Sequence, residues 1–257
     1  MIRRPSVTLS SFAARISAIL IVVGMLCFGV GELAHAQQRV SKRYPVKKNV
    51  RIELKNISGR IIVESWERDE IKISASLDSP TANVAPRLVG EGGVVIDVMS
   101  DNRGRGDVGD VNFKILVPLA SSVDIETRRG DITITNIRGQ SVRAHVSSEG
   151  DITLSRIIST QVMAQNTIGN IFFDGEFAHG GNYKFQSTKG DISIRIPVNT
   201  PFNLTAAAPT RQISLNEFWN KDFKTLGDGR KFVSEVRDGR PAVTVTNFQG
   251  SITFLRR

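Results

Sequence analysis

A glycine, an acid or amide, and an isoleucine recur together four times at a nearly fixed interval. Gly130-Asp131-Ile132-Thr133-Ile134 is followed by Gly150-Asp151-Ile152-Thr153-Leu154, then Gly169-Asn170-Ile171-Phe172-Phe173, then Gly190-Asp191-Ile192-Ser193-Ile194. The glycines stand 20, 19 and 21 residues apart. A constant period of this length marks a chain made of repeated supersecondary units, each too small to bury its own apolar face.

The rest of each period aligns as well. Ile137, Ile157 and Phe177 follow their glycines at similar distances, and Ala144, Ala164 and Phe185 close each unit. Val142, Val162 and Tyr183 match if the third copy carries a one-residue insertion. Apolar residues alternate with polar ones, so each unit reads as two short strands separated by turns. Stacking the units predicts two interior columns, Ile132-Ile152-Ile171-Ile192 and Ile134-Leu154-Phe173-Ile194.

The turn residues have a backbone explanation. Glycine reaches a positive φ without a Cβ clash, and an Asp or Asn side chain accepts hydrogen bonds from nearby N–H groups. Gly130, Asp131, Gly150, Asp151, Gly169, Asn170, Gly190 and Asp191 are therefore assigned as structural turn residues. No residue is assigned to catalysis, to a cofactor or to a metal.

Alternation extends beyond the repeats, over 50–54, 60–63, 71–77, 94–98 and 111–117. Segments 78–93, with Pro80 and Pro86, and 100–110, rich in Gly and Asp, read as loops. An Asn-apolar-x-Gly turn recurs at 56–59, 136–139 and 247–250, and Ser251-Ile252-Thr253-Phe254 repeats the central strand. Residues 216–240 break the pattern and read as a flanking excursion with Trp219 and a Gly227-Asp228-Gly229 turn. The expected fold is all-β, a single-chain β-solenoid (β-helix-like) of roughly 20-residue repeats with an irregular β cap at the N-terminal end. A β-sandwich of repeated hairpins is the alternative that the constant period disfavours.

The first residues follow a different logic. Arg3, Arg4 and Arg15 precede an apolar run over 18–30, and Ala34-His35-Ala36 supplies a small-x-small cleavage pattern. This predicts a secretory signal peptide over 1–36, because the run is shorter than the roughly 20 residues of a spanning helix. Cys27, the sole cysteine, follows Leu26, where lipid attachment calls for a small residue. Disulfides therefore do not hold the fold together. The expected organisation is 1–36 signal peptide, 37–45 linker, 46–128 N-terminal β region, 129–215 central repeats and 216–257 flanking segment with terminal strands. Losing three arginines and one glutamate with the leader takes the formal charge from +9 to +7. Outside the cytoplasm such a charge suits anionic glycans, lipid headgroups or wall polymers rather than nucleic acid, and the plainer reading is that Lys and Arg on outward strand positions serve solubility.

The residues resemble a known family at this point. An opening strand, Gly59-Arg60-Ile61-Ile62-Val63, Trp66 and the Gly-Asp-Ile-Thr units are similar to the bacterial putative-adhesin family, a domain of unknown function with β-strand repeats. The family looks related to autotransporter-adhesin head domains. The resemblance covers about 46–254 and implies an exported, surface-adhesive β-solenoid with no functional residues to carry across.

Other constellations are weaker. Of two Arg-Gly-Asp tripeptides, 105–107 and 129–131, the second is explained by the repeat. Asp131, Asp151 and Asp191 could form a column of carboxylates about 4.8 Å apart, close enough for acid–base chemistry, but Asn170 interrupts it. His145 and His179 stand at different offsets with no thiol to share a metal. Arg128, Arg129, Arg138, Arg143 and Arg156 form the densest basic stretch. The expected function is an exported, non-enzymatic protein of the periplasm, cell envelope or surface, adhesin-like or scaffolding. Its partner would be an anionic envelope polysaccharide or another surface protein, with no transmembrane segment in the mature chain. The alternative is a carbohydrate-binding or carbohydrate-active β-helix using the turn carboxylates.

Overall fold

The computed structural model describes residues 38–78, 82–90, 93–219, 224–226, 230–236 and 240–257. The leader expected over 1–36 and the Gly227-Asp228-Gly229 turn lie outside the described residues.

Period-two alternation sends successive side chains to opposite faces, and here it makes nearly every element a strand. The N-terminal elements are β1 (Gln38–Pro45), β2 (Arg51–Ser58), β3 (Ile61–Trp66), β4 (Glu70–Leu77), β5 (Arg87–Val89) and β6 (Gly93–Asp97). A single helical turn, α1 (Val98–Asp101), precedes β7 (Val111–Pro118), β8 (Ser122–Arg129), β9 (Ile132–Thr135) and β10 (Ser141–Glu149). Two long strands follow, β11 (Ile152–Ile168) and β12 (Ile171–Lys189). The rest are β13 (Ile192–Ile196), β14 (Phe202–Ala207), β15 (Ile213–Ser214), β16 (Lys224–Leu226), β17 (Lys231–Val236), β18 (Ala242–Gln249) and β19 (Ile252–Arg256).

The strands pair in two ladders. One runs β6-β2-β8-β10-β11-β12-β18-β14, parallel throughout, with β5 antiparallel at one end and β17 and β16 at the other. The second runs β7-β3-β9-β11-β12-β13-β19-β15 in parallel, with β4 and β1 added antiparallel beside β7. β11 and β12 belong to both ladders, because each continues from the second into the first. A rung is thus a strand of the first ladder, a glycine turn, and a strand of the second.

Rung order departs from chain order at both ends. The rung β2–β3 lies directly on β8–β9, although β4 to β7 intervene in sequence, and β6 and β7 pair outside it. At the other end β18–β19 inserts between β12–β13 and β14–β15.

The interior follows from this register. Ile61, Ile132, Ile152, Ile171, Ile192 and Ile252 stand in one fully enclosed column, and Val63, Ile134, Leu154, Phe173, Ile194 and Phe254 in the next. The facing ladder contributes Val123, Val142, Val162, Tyr183 and Val243. Each such side chain contributes roughly 1.5–3 kcal/mol on burial. Aromatic rings take over toward the C-terminal end. Phe202 stacks on Phe254 at 5.7 Å, and Phe177 meets Tyr183 at 4.4 Å. The Tyr183 hydroxyl donates to the Ser159 carbonyl and accepts from the Ala178 N–H, both at 2.6 Å. Its burial pushes its pKa up.

One alignment needs correction. Phe177 pairs with Ser159 rather than Ile157, and Ile157 pairs with Gly175. Two irregularities combine here. Arg156 is an extra residue in β11 with φ 55°, and β12 spends Ala178 to Gly181 between the partners of Ser159 and Gln161. Phe177 still turns inward, because the extra residue lies in β11 and the alternation of β12 runs unbroken from Ile171 through Phe173 and Gly175 to Phe177.

Candidate functional site

The glycine turns stack into a seam between the ladders. A Cβ on Gly130 would lie 2.2 Å from the Gly59 carbonyl oxygen, one on Gly150 at 2.2 Å from that of Gly130, and one on Gly190 at 2.0 Å from that of Gly169. Backbone therefore touches backbone from rung to rung, which only a residue without a side chain allows. Gly130, Gly150, Gly169 and Gly190 also hold φ between 106° and 154°.

Beside the seam the turn acids form a directed chain of hydrogen bonds. The Asp151 N–H donates to Asp131 Oδ1 at 3.0 Å, the Asn170 N–H to Asp151 Oδ1 at 2.7 Å, and the Asp191 N–H to Asn170 Oδ1 at 2.9 Å. Asp191 Oδ1 then accepts from the Ser251 N–H and hydroxyl, at 2.8 and 2.7 Å. Those two donors, the hydroxyl first, hold the Asp191 pKa below its ordinary value against some loss of hydration. The acids thus bridge rungs rather than cap their own turns, and Asn170 serves as well as an aspartate because only an acceptor oxygen is needed.

Inside the seam lies a second polar column. Asn56, Thr127, Asn166, Ser187 and Asn247 are buried, with Val146 in register between Thr127 and Asn166. Asn247 Nδ2 donates to the carbonyls of Gly190 and Ser251 at 2.7 and 3.0 Å, and Asn56 Nδ2 to those of Ser58 and Val111, both at 2.9 Å. Asn166 and Ser187 donate to Gly150 and Gly169. These amides and hydroxyls supply donors to carbonyls of the seam and of the turns beside it. They stand three residues before Gly59, Gly130, Gly169, Gly190 and Gly250, a spacing visible in the sequence once all five are aligned.

The chain of acceptors is interrupted at one rung. Asn112 Oδ1 accepts from the Arg60 N–H at 2.8 Å, but Arg60, the residue after Gly59, carries only donors. It offers no acceptor to the Asp131 N–H on the next rung. Around this break lies an open groove of about 990 Å3 on the outer face of β1, β4, β7 and β3. Arg39, Arg60, Lys114 and Arg129 line it, together with Asp110 and Asp131. Lys114 pairs with Glu64 at 3.1 Å. Among the described residues, Arg39, Arg60 and Arg129 have no carboxylate within salt-bridge reach.

The remaining sequence candidates are dispersed. Arg129 reaches the groove, whereas Arg143 is paired with Asp124 at 3.1 Å on β10 and Arg156 sits at the far bulge. Asp107 of the first Arg-Gly-Asp accepts from the Gly109 N–H, so its carboxylate is engaged in its own turn. His145 Nδ1 lies 3.9 Å from Glu126, and His179 faces Arg240 at 3.3 Å. Among the described residues, no group of three or more His, Cys, Asp and Glu side chains could hold a metal ion. No described helix is long and apolar enough to cross a membrane.

The family model described as Toastrack DUF4097 matches residues 34–253. No curated protein matches the sequence. Among solved structures, a "putative cell adhesion protein" from Clostridium sporogenes superposes with a TM-score of 0.54 at 11% identity, covering 86% of this chain and 100% of its own. A "putative adhesin" from Bacteroides fragilis matches with a TM-score of 0.36 at 11% identity, covering 86% of this chain and 99% of its own. A "putative lipid binding protein" from Parabacteroides distasonis follows at 0.30 and 12%, covering 86% and 98%. The first of these supports a shared all-β fold.

Proposed function

Since the chain belongs to the Toastrack DUF4097 family, we propose that it is an exported, non-enzymatic β-solenoid of the cell envelope, adhesin-like, that presents its strand faces for binding or scaffolding. The parallel register at intervals of 20, 19 and 21 residues supports the solenoid reading. One observation carries the functional reading: the turn acids that would serve an enzyme are occupied in joining rungs, from Asp131 to Ser251. Each aspartate keeps Oδ2 outside the relay, but joining one rung to the next is a structural task that accounts for the recurrence of the acid or amide, Asn170 included, without a substrate. The assignment of Gly130, Asp131, Gly150, Asp151, Gly169, Asn170, Gly190 and Asp191 to structure belongs to this proposal. So does the division into a leader over 1–36, an N-terminal β region, central repeats and a flanking segment; the linker expected over 37–45 is instead strand β1 from Gln38 to Pro45, paired along its length with β4, and joins the N-terminal β region.

The test is incubation of purified 37–257 with a panel of acidic polysaccharides, followed by assays of both retention and chain length. Retention without shortening is expected. Shortening that Asp151→Asn abolishes would overturn the reading in favour of a carbohydrate-active protein. Export is tested separately, by N-terminal sequencing of the secreted product and by protease treatment of intact cells.

A further inference from the structure

We infer that the groove over β1, β4, β7 and β3 is a binding site for a linear acidic polysaccharide, and that Arg60 and Arg39 are its principal contacts. This deepens the binding-module reading and rests on it.

Register places the groove's outward residues in two rows. Arg39, Ser76 and Asn112 follow one another across β1, β4 and β7, and Arg60 comes next through its hydrogen bond to Asn112. Ser41, Ser74, Lys114 and Ile62 form the second row. Three strand spacings separate the Arg39 and Arg60 backbones, about 14–15 Å. A trough of that length, open to solvent, suits a polymer with repeated anionic groups better than one small anion.

Three features make the trough receptive. The guanidiniums of Arg39, Arg60 and Arg129 lack carboxylate partners among the described residues, so binding an anion breaks no existing ion pair. The two wall carboxylates, Asp110 and Asp131, are outnumbered by the cations Arg39, Arg60, Lys114 and Arg129, and each is held to the wall by a donor, the Ser58 hydroxyl or the Asp151 N–H. Arg60 is also the position where the inter-rung relay stops. An anionic oxygen bound between Arg60 and Asp131 would accept from the guanidinium and stand where every later rung places an acceptor. Guanidinium groups favour carboxylate, sulfate and phosphate through paired donors.

The experiment uses the purified chain with polygalacturonate as probe, neutral dextran as control polymer, and vesicles containing phosphatidylglycerol as a lipid source of anions. Arg60→Asn and Arg39→Ser are each expected to weaken binding about tenfold. Lys189→Ser, an exposed cation on a distant rung, should change it less than about twofold. Raised salt should weaken binding in all of them. Arg60→Asn supplies the missing acceptor to Asp131, so its unfolding midpoint should stay level or rise; a weakened binder is then not a misfolded one. Unchanged binding in Arg60→Asn, binding to vesicles but not to polymer, or no binding to polygalacturonate overturns the groove assignment. Those results leave the binding-module reading intact, whereas shortening of the polymer overturns that reading instead.

Discussion

Asp151 Oδ1 accepts the Asn170 backbone N–H across the boundary between two rungs, at 2.7 Å. The bond ties residues whose only sequence relation is the repeat itself. Replacing Asp151 by alanine removes the acceptor and should cost about 1 kcal/mol, the net value of an exposed hydrogen bond. Asp151→Asn should cost far less, since Asn170 makes the equivalent bond to the Asp191 N–H. Urea unfolding of the pair checks this; equal losses would show that charge rather than an acceptor oxygen matters.

The glycine seam predicts a sharper contrast. A methyl group on Gly150 would sit 2.2 Å from the Gly130 carbonyl oxygen at a φ of 154°. Gly150→Ala should therefore destabilise by at least about 3 kcal/mol, through a backbone clash that no rotamer relieves. Gly106, with open space around its Cβ position, should tolerate the same change within about 0.5 kcal/mol. Thermal unfolding of the two variants gives the comparison.

Asn247 offers a test of the buried column. Its amide satisfies the carbonyls of Gly190 and Ser251 at once. Asn247→Ala strands both and should cost about 2–3 kcal/mol. Asn247→Thr should recover part of this, because Thr127 uses its hydroxyl in the same column to reach the Arg129 carbonyl. Chemical denaturation of both variants decides it, and equal losses would refute the shared role.

Acid should act through Asp191, whose folded pKa lies below its ordinary value because the Ser251 hydroxyl and amide donate to it. A depressed carboxylate adds stability above its unfolded pKa of about 3.9 and loses it as pH falls through the lower folded value. Ser251→Ala removes the largest cause, so the variant should lose less stability than the parent on acidification through that window. Unfolding midpoints followed from neutral to strongly acidic pH measure the difference, and parallel curves would contradict it.

Much of the stack was legible in the residues because apolar alternation and turn chemistry repeat together. The isoleucine and valine columns follow from aligning the glycines. The Asn56 and Asn247 turns were visible as Asn-apolar-x-Gly, but their common role with Thr127, Asn166 and Ser187 was not. A hydroxyl and an amide perform one task there, and residue identity hides it. Rung order was less legible still. Nothing local in β2 or β3 says that they lie on β8 and β9, since parallel pairing is decided by tertiary register and not by propensity. The third-copy offset does not show in a count of positions, because the Arg156 bulge and the added residues after Phe177 partly cancel. The groove is not legible in the sequence, because its cations, Arg39, Arg60, Lys114 and Arg129, are spread over four segments that only pairing brings together.

The account depends most on rungs that stack in parallel register at one strand spacing each. Thr133 and Thr253 occupy outward positions four steps apart, through Thr153, Phe172 and Ser193. Spin labels on Thr133→Cys and Thr253→Cys, in a Cys27→Ser background, should report backbone sites about 19 Å apart, broadened by the label arms. A distribution centred beyond about 30 Å, as repeated hairpins in a sandwich could produce, would contradict the stack.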